Sequence, residues 1–203
     1  MNDNYYFNVK KKRPEEIYKK ASDYFKGETL NHYATSKRIT SRALELLSLN
    51  KRDNLILDAG TGPGYTAMFL NEIGYKTVAI DIIPAFLNYY DIKDLNPVAT
   101  DMCFPPFKPY IFDAIISISS LQWIYRDVNN KLMKNQLINL LKSFYAILKP
   151  KKKVIIQFYP KKKEIIDNIS KIVINHTKFS GNFIIDNPKV SKKRKIFLIL
   201  EKD

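Results

Sequence analysis

Apolar positions along this chain switch repeatedly between two periods. From Leu55 onward, short apolar runs of strand character alternate with segments whose apolar residues recur at helical spacing. The runs predict strands over 54–59, 76–81, 97–101, 112–119, 153–159, 182–186 and 195–201. Helices are predicted over 65–73, over 84–91 and from Lys163 to about Lys178. One more helix carries Leu137, Leu140, Leu141, Phe144 and Leu148 on a single face and is stopped by Lys149-Pro150. Upstream, Glu15 to Phe25 and Tyr33 to Leu49 read as helices, behind a basic arm that ends in Lys10-Lys-Lys-Arg13. Strands alternating with helices imply an α/β domain, a parallel sheet covered on both faces. Only the last two strands lie too close for a helical crossover. They predict an antiparallel hairpin, giving a seven-stranded, mostly parallel sheet with its last strand reversed. The organisation is an arm over 1–13 and one domain over 14–203, with helices in 14–50 and the sheet core in 54–203.

A chain of 203 residues is long enough for one domain with a full core. No apolar run is long enough to span a bilayer, and the first residues lack the apolar core of a signal peptide. The single cysteine, Cys103, excludes an internal disulfide and a cysteine-based zinc site. His32 and His176 are isolated, so no metal site is expected, and a reducing cytoplasm is the natural compartment. The net charge of +14 changes this bland picture. It points to a polyanionic partner, unless lysine simply solvates every face.

The densest local signal is Leu55-Ile-Leu-Asp58-Ala-Gly60-Thr-Gly62-Pro-Gly64. A strand ends in an acid, glycines recur at alternate positions, and a helix starts at Tyr65: backbone is being brought close to a ligand. A dinucleotide fingerprint requires glycine where Tyr65 stands, and a nucleotide P-loop requires Gly-Lys-Ser/Thr, which is missing. Asp81 and Asp101 close the second and third strands as Asp58 closes the first, and ligands of open parallel sheets sit beyond those ends. An acid at one strand end is usually a cap or turn; three around a glycine loop are a constellation.

Asp-x-Gly-x-Gly-x-Gly resembles the first motif of class I S-adenosylmethionine-dependent methyltransferases. The resemblance implies their Rossmann-like fold and S-adenosyl-L-methionine as cofactor. It implies a loop of Asp58, Gly60, Thr61, Gly62 and Gly64 and a ribose site at Asp81, with Ile82 among the cofactor contacts. Asp101 and Met102 would take the adenine, with Ser117 beside them. Phe104-Pro-Pro-Phe107 looks like the Asn/Asp-Pro-Pro-aromatic motif of amino-directed enzymes, but it follows the wrong strand and begins with Phe, so it reads as a rigid turn.

After the fourth strand, Ser117-Ile-Ser119-Ser120-Leu121-Gln122-Trp123-Ile124 enters the acceptor side. Gln122 can hydrogen-bond a base edge or a carbonyl, and Trp123 can stack on a planar acceptor or anchor the core. Ser119 and Tyr159 are grouped with them as acceptor-positioning residues. The loop has no His, Cys or Lys, so no catalytic base is assigned. Arg13-Pro-Glu15, Arg42-Ala-Leu-Glu-Leu-Leu47, Pro106-Phe-Lys-Pro109 before Phe112-Asp113, Gln157-Phe-Tyr-Pro160 and Phe179-Ser-Gly181 leading to Asp186-x-Pro188 narrow the choice. In order and spacing they resemble the 18S-type rRNA guanine-N7 methyltransferases. That family implies small-subunit rRNA as substrate, a role in ribosome biogenesis, and a heterodimer with a small zinc-binding activator that pairs with the third strand (97–101). The eukaryotic members continue into a basic tail, whereas this sequence stops at Asp203 and suits a compact archaeal member. Two other readings stay open: a small-carboxylate methyltransferase, which the Gln-Trp element also resembles, and an assembly factor whose binding matters more than its catalysis.

Topology sorts the lysines. Lys161, Lys162 and Lys163 follow the fifth strand, and Lys192, Lys193, Arg194 and Lys195 occupy the turn before the reversed last strand. Both groups are expected on the ligand face as an RNA-binding rim, joined by Lys189. Lys151-Lys-Lys153 precedes the fifth strand and belongs on the opposite face.

Overall fold

The computed structural model describes residues 29–49, 54–87 and 95–203. The basic arm, the helix expected over Glu15 to Phe25 and the far half of the one expected over 84–91 lie outside the described residues. The chain runs α1 (Thr29–Leu47), β1 (Leu55–Ala59), α2 (Tyr65–Glu72), β2 (Lys76–Asp81), α3 (Pro84–Leu87), β3 (Pro97–Ala99) and β4 (Phe112–Ile118). It continues through α4 (Leu121–Ile124), α5 (Lys131–Ile147), β5 (Leu148–Phe158), α6 (Lys163–His176), β6 (Phe179–Asp186), a 3-10 turn (Ser191–Lys193) and β7 (Lys195–Lys202). The seven strands form one sheet in the order β3-β2-β1-β4-β5-β7-β6. β7 runs antiparallel to both neighbours, and the other pairings are parallel. The expected α/β architecture is therefore present, with β3 at one edge.

Alternation along the strands builds the two faces. Ile56, Ala114, Ile116, Ile155 and Phe197 face a core completed by Ile39, Ala43 and Leu47 of α1 and Leu70 of α2. Their neighbours Leu57, Ile115, Val154, Ile156 and Leu198 face the other way, onto Leu137, Leu140, Leu141 and Phe144 of α5 and Ile165 and Ile169 of α6. Two layers of helix thus fix where each strand's carboxyl end emerges.

The boundaries differ where long-range pairing overrides local pattern. Leu148, expected on the face of α5, is the first residue of β5, because the helix passes into the strand without a loop. Lys149-Pro150 lies inside a bulge: Leu148 pairs with Phe112, the next matched pair is Lys153 with Ala114, and Lys151 has φ 58°. A bulge absorbs the N–H that proline lacks. β6 begins at Phe179, three residues before the expected start, since Ser180 and Gly181 already pair with Glu201 and Leu200. Conversely, β3 stops at Ala99 and α6 at His176.

Segments remote in sequence are tied at the sheet margins. Arg42 of α1 donates through Nε to Asp186 Oδ2 at 3.1 Å and through Nη2 to Oδ1 at 3.4 Å, clamping the helix to the end of β6. Lys202 is buried at the other end, where its Nζ donates to the carbonyls of Tyr145 (2.5 Å) and Leu148 (2.8 Å) as α5 finishes.

Gly181 meets the backbone of β7 so closely that a Cβ would strike the Ile199 carbonyl and lie 2.9 Å from Leu200 Cδ2. Gly181→Ala is therefore expected to cost about 1–3 kcal/mol through overpacking. A lower urea midpoint at unchanged slope checks this, and an unshifted midpoint contradicts it.

Candidate active site

β1 carries Asp58 into the interior, where it is 1% exposed. Its Oδ2 accepts the Thr61 hydroxyl at 2.5 Å and the Ala67 N–H at 3.1 Å, joining the loop to the first turn of α2. Burial pushes this carboxyl up from 3.8 to about 7; the bonds from Thr61 and Ala67 oppose that rise, and the nearby charge of Asp81 adds to it. Asp58, grouped above with the cofactor contacts, thus points into the protein and shapes the loop from beneath. The N–H groups of Gly60 and Thr61 both donate to the Ile80 carbonyl at 2.9 Å, fastening the loop to β2.

The glycines have separate reasons. Gly60, Gly62 and Gly64 have φ of 77°, 55° and 87°, in the left-handed region that side chains disfavour. At Gly60 a Cβ would lie 2.7 Å from Ser120 Cβ and 2.8 Å from Met102 Cε. Above Gly62, no described residue other than its chain neighbours comes within 4 Å of where a Cβ would stand. That open backbone face is where a ligand can approach. Tyr65, at the position a third dinucleotide glycine would need, is buried with its ring edge-on to Tyr33 at 5.8 Å.

Asp81 flanks the opening. Its Oδ2 accepts the Gly62 N–H at 2.8 Å and its Oδ1 the Ile83 N–H at 2.9 Å, while Ile82 between them is 39% exposed. Asp101 accepts the Cys103 N–H at 2.8 Å, and Met102 rests against Gly60. An open glycine, a strand-end carboxylate and an exposed aliphatic side chain fit a ligand with a hydroxylated sugar and a flat base. Ser117 is buried at the end of β4. Phe104-Pro-Pro-Phe107 forms the expected turn, in which the Phe104 N–H donates to Asp101 O at 3.0 Å and Phe107 packs edge-on to Phe112.

The acceptor-side residues converge on one hydrogen-bonded group. Ser119 sits at φ 58°, held by its N–H to Gln157 O (2.8 Å) and its Oγ to Gln157 Oε1 (3.0 Å). Gln122 donates through Nε2 to Ser119 O at 2.5 Å. Ser120 donates to Gly60 O at 3.0 Å, so the loop after β4 touches the glycine loop directly. Ser120 and Gln157 stand inside segments quoted above, but motif reading gave neither a role in the site. A polar residue inside Val154-Ile-Ile-Gln-Phe158, 0% exposed, is the signal that could have found Gln157. Trp123 is half-buried beside this group, and Tyr159 is 42% exposed with the Lys195 ammonium 5.2 Å from its ring centre.

Lys161, Lys162, Lys163, Lys192 and Lys193 are exposed at the end of the sheet where this group lies. Arg194 instead spends its guanidinium on Pro188 O at 2.7 Å and braces its own turn. Lys149 and Lys152 reach Asp113 at 2.9 and 3.8 Å, and Lys153 reaches Glu201 at 3.8 Å, all at the opposite end. Among the described residues, no group of three or more His, Cys, Asp or Glu could hold a metal ion, and no helix is long and apolar enough to cross a membrane.

The sheet order, the glycine loop and the acids at its strand ends define a methyltransferase domain, and the family profile of that description matches residues 57–156. Solved structures share the fold. Haemonchus contortus phosphoethanolamine N-methyltransferase 2, complexed with S-adenosylhomocysteine, superposes with TM-score 0.60 at 18% identity over 81% of this chain and 52% of its own. Streptomyces coelicolor geranyl diphosphate C-methyltransferase gives 0.59 at 13% over 82% and 77%. The chain belongs, more narrowly, to the 18S rRNA (guanine-N(7))-methyltransferase family. It is 32% identical to the Bos taurus enzyme over 92% of this chain and 68% of that protein. To the Saccharomyces cerevisiae 18S rRNA (guanine(1575)-N(7))-methyltransferase it is 34% identical over 87% and 66%. The chain spans 59% of the length of the Mus musculus member.

The folded Asp58 carboxyl holds its proton to about 7, whereas an unperturbed one releases it near 3.8. Between those values the folded state binds the extra proton, so this group lowers stability as pH rises through that window. Wild type should lose stability relative to Asp58→Asn, whose side chain does not titrate, between about pH 4 and about pH 7. Urea unfolding of both proteins across that range tests this; a stability difference independent of pH contradicts it.

Proposed function

We propose that this chain transfers a methyl group from S-adenosyl-L-methionine to N7 of a guanine in small-subunit rRNA during ribosome biogenesis. The observation that carries the reading is convergence. Family segments scattered from Arg42 to Asp186 meet in three contacts, Arg42 with Asp186, Ser119 with Gln122 and Ser119 with Gln157.

The cofactor supplies an electrophilic sulfonium methyl. Asp81 would accept the ribose hydroxyls, Ile82 and Met102 would enclose the adenine, Asp101 would take its amino group, and Gly62 would admit the chain close to its backbone. Guanine N7 has a lone pair and no proton, so it attacks the methyl without a base. Fixing N7 in line with the methyl then supplies most of the rate, through proximity and orientation. Ser119, Gln122 and Trp123 would position the base, and Tyr159 with Lys195 would flank its entry. Lys161 to Lys163 with Lys192 and Lys193 suit a phosphate track. The short edge strand β3 suits addition of a partner strand, here the small zinc-binding activator that the family resemblance implies, and the cytoplasm is the proposed compartment. A carboxylate acceptor would also need no base, but it gives the basic rim nothing to bind.

Labelled S-adenosyl-L-methionine, offered with deproteinised small-subunit rRNA and with small subunits, should place label on RNA as N7-methylguanine. Asp81→Ala should abolish transfer. Label on small carboxylic acids and none on RNA sinks the proposal; rescue of subunit assembly by an inactive Asp81→Ala favours the assembly-factor reading.

Converting Lys192 and Lys193 together to Glu leaves Arg194 and Lys195 in place. The pair should weaken rRNA binding and reduce the slope of log affinity against log salt by about 1–1.5, near 0.7 per lost phosphate contact. Unaltered affinity and slope exclude these lysines from the track.

A further inference from the structure

Hydrogen bonds beside the site form a chain whose direction is fixed at every link. Gln157, fully buried in β5, donates through Nε2 to Phe158 O at 3.3 Å, which leaves its Oε1 as the acceptor for Ser119 Oγ. Ser119 is held by that bond and by its N–H to Gln157 O. Its own carbonyl then meets the Gln122 side-chain amide. A backbone carbonyl can only accept, so Nε2 of Gln122 must be the atom at 2.5 Å. The amide is thereby oriented, with Oε1 turned the other way. That oxygen is buried and has no hydrogen-bond partner among the described residues. The chain ends in an acceptor awaiting a donor, one residue from Ser120, which holds the glycine loop at Gly60.

We propose that Gln122 Oε1 is a specificity determinant that reads the Watson–Crick edge of the target guanine, accepting from N1–H or the 2-amino group. Gln157 is the positioning residue that fixes its orientation through Ser119. The assignment rests on the rRNA guanine-N7 reading above. Guanine carries both donors on the edge opposite N7, so one base can present N7 to the methyl and its donors to Gln122. Adenine has an acceptor at N1, and a carboxylate has no donor there. Sites built to hydrogen-bond a substrate donor reject analogues lacking it, because a buried polar group is then left unpaired.

Once the target guanine is mapped, rRNA fragments with guanine, inosine (no 2-amino group) or 1-methylguanine (no N1–H) at that position test the assignment. Wild type should lose about tenfold to a hundredfold in kcat/KM on at least one analogue. Gln122→Ala and the near-isosteric Gln122→Met should be slow on guanine and lose no more on the analogues, with S-adenosyl-L-methionine affinity unchanged as evidence of folding. Gln157→Leu should erase selectivity, and Gln157→Glu, which still accepts from Ser119 Oγ, should restore part of it. Transfer to guanine with equal rates on all three bases, or discrimination kept in both Gln122 variants, overturns the assignment alone. No transfer to any RNA by wild type overturns the rRNA reading and the assignment with it.

Discussion

The turn between β1 and α2 has three glycines with positive φ, a conformation with little intrinsic preference to persist. Two carboxylates hold it. Asp58 takes the Thr61 hydroxyl and the Ala67 N–H from inside, while Asp81 takes the Gly62 and Ile83 N–H groups from the neighbouring strand. Four donors from both sides of the loop are thus fixed by groups anchored in the sheet. The open face of Gly62, the exposure of Ile82 and the seat of Met102 on Gly60 all follow from that grip. Glycines alone would leave a flexible crossing; the carboxylates make it a preformed one.

How much of this was legible in the sequence depended on whether local pattern or long-range pairing decided each residue. The two periods and the short gap before the last strand were enough for the alternating elements and the reversed last strand. The acids at the strand ends were visible too, but not the direction of each side chain. A strand-end aspartate can face a ligand or cap the next helix; Asp58 does the second, and only burial distinguishes them. Leu148 continues the spacing of α5, so period alone could not place it in β5. Gly181 stands just ahead of the strand expected over 182–186, yet it lies within β6, where two strands approach too closely for a side chain.

Net charge shows the same division. A value of +14 argues for a polyanion but cannot say which cations meet it. The fold removes some from consideration: Lys149 and Lys152 neutralise Asp113 at the far end, Lys202 closes α5, and Arg194 braces its own turn. Lys161 to Lys163, Lys192 and Lys193 remain exposed at the mouth, with Lys195 over Tyr159 between them. The charge proposed to meet RNA is smaller than the total and concentrated on one end of the sheet.

Donor and acceptor sides of the site carry different information. The glycine-loop fold is shared with enzymes that methylate a phosphoethanolamine nitrogen or a diphosphate-bearing carbon, at 13–18% identity. That shared fold says nothing about what receives the methyl. The proposed acceptor side rests on a buried glutamine in β5, a serine in a left-handed conformation and a glutamine whose amide is oriented by the Ser119 carbonyl. Each of these is costly in isolation: a polar residue in a strand interior, positive φ at a non-glycine, an acceptor without a donor. They stabilise one another except at the last link, where Gln122 Oε1 has no partner among the described residues. For a reaction whose nucleophile needs no base, selectivity has to come from such placement, because the chemistry itself does not distinguish one lone pair from another.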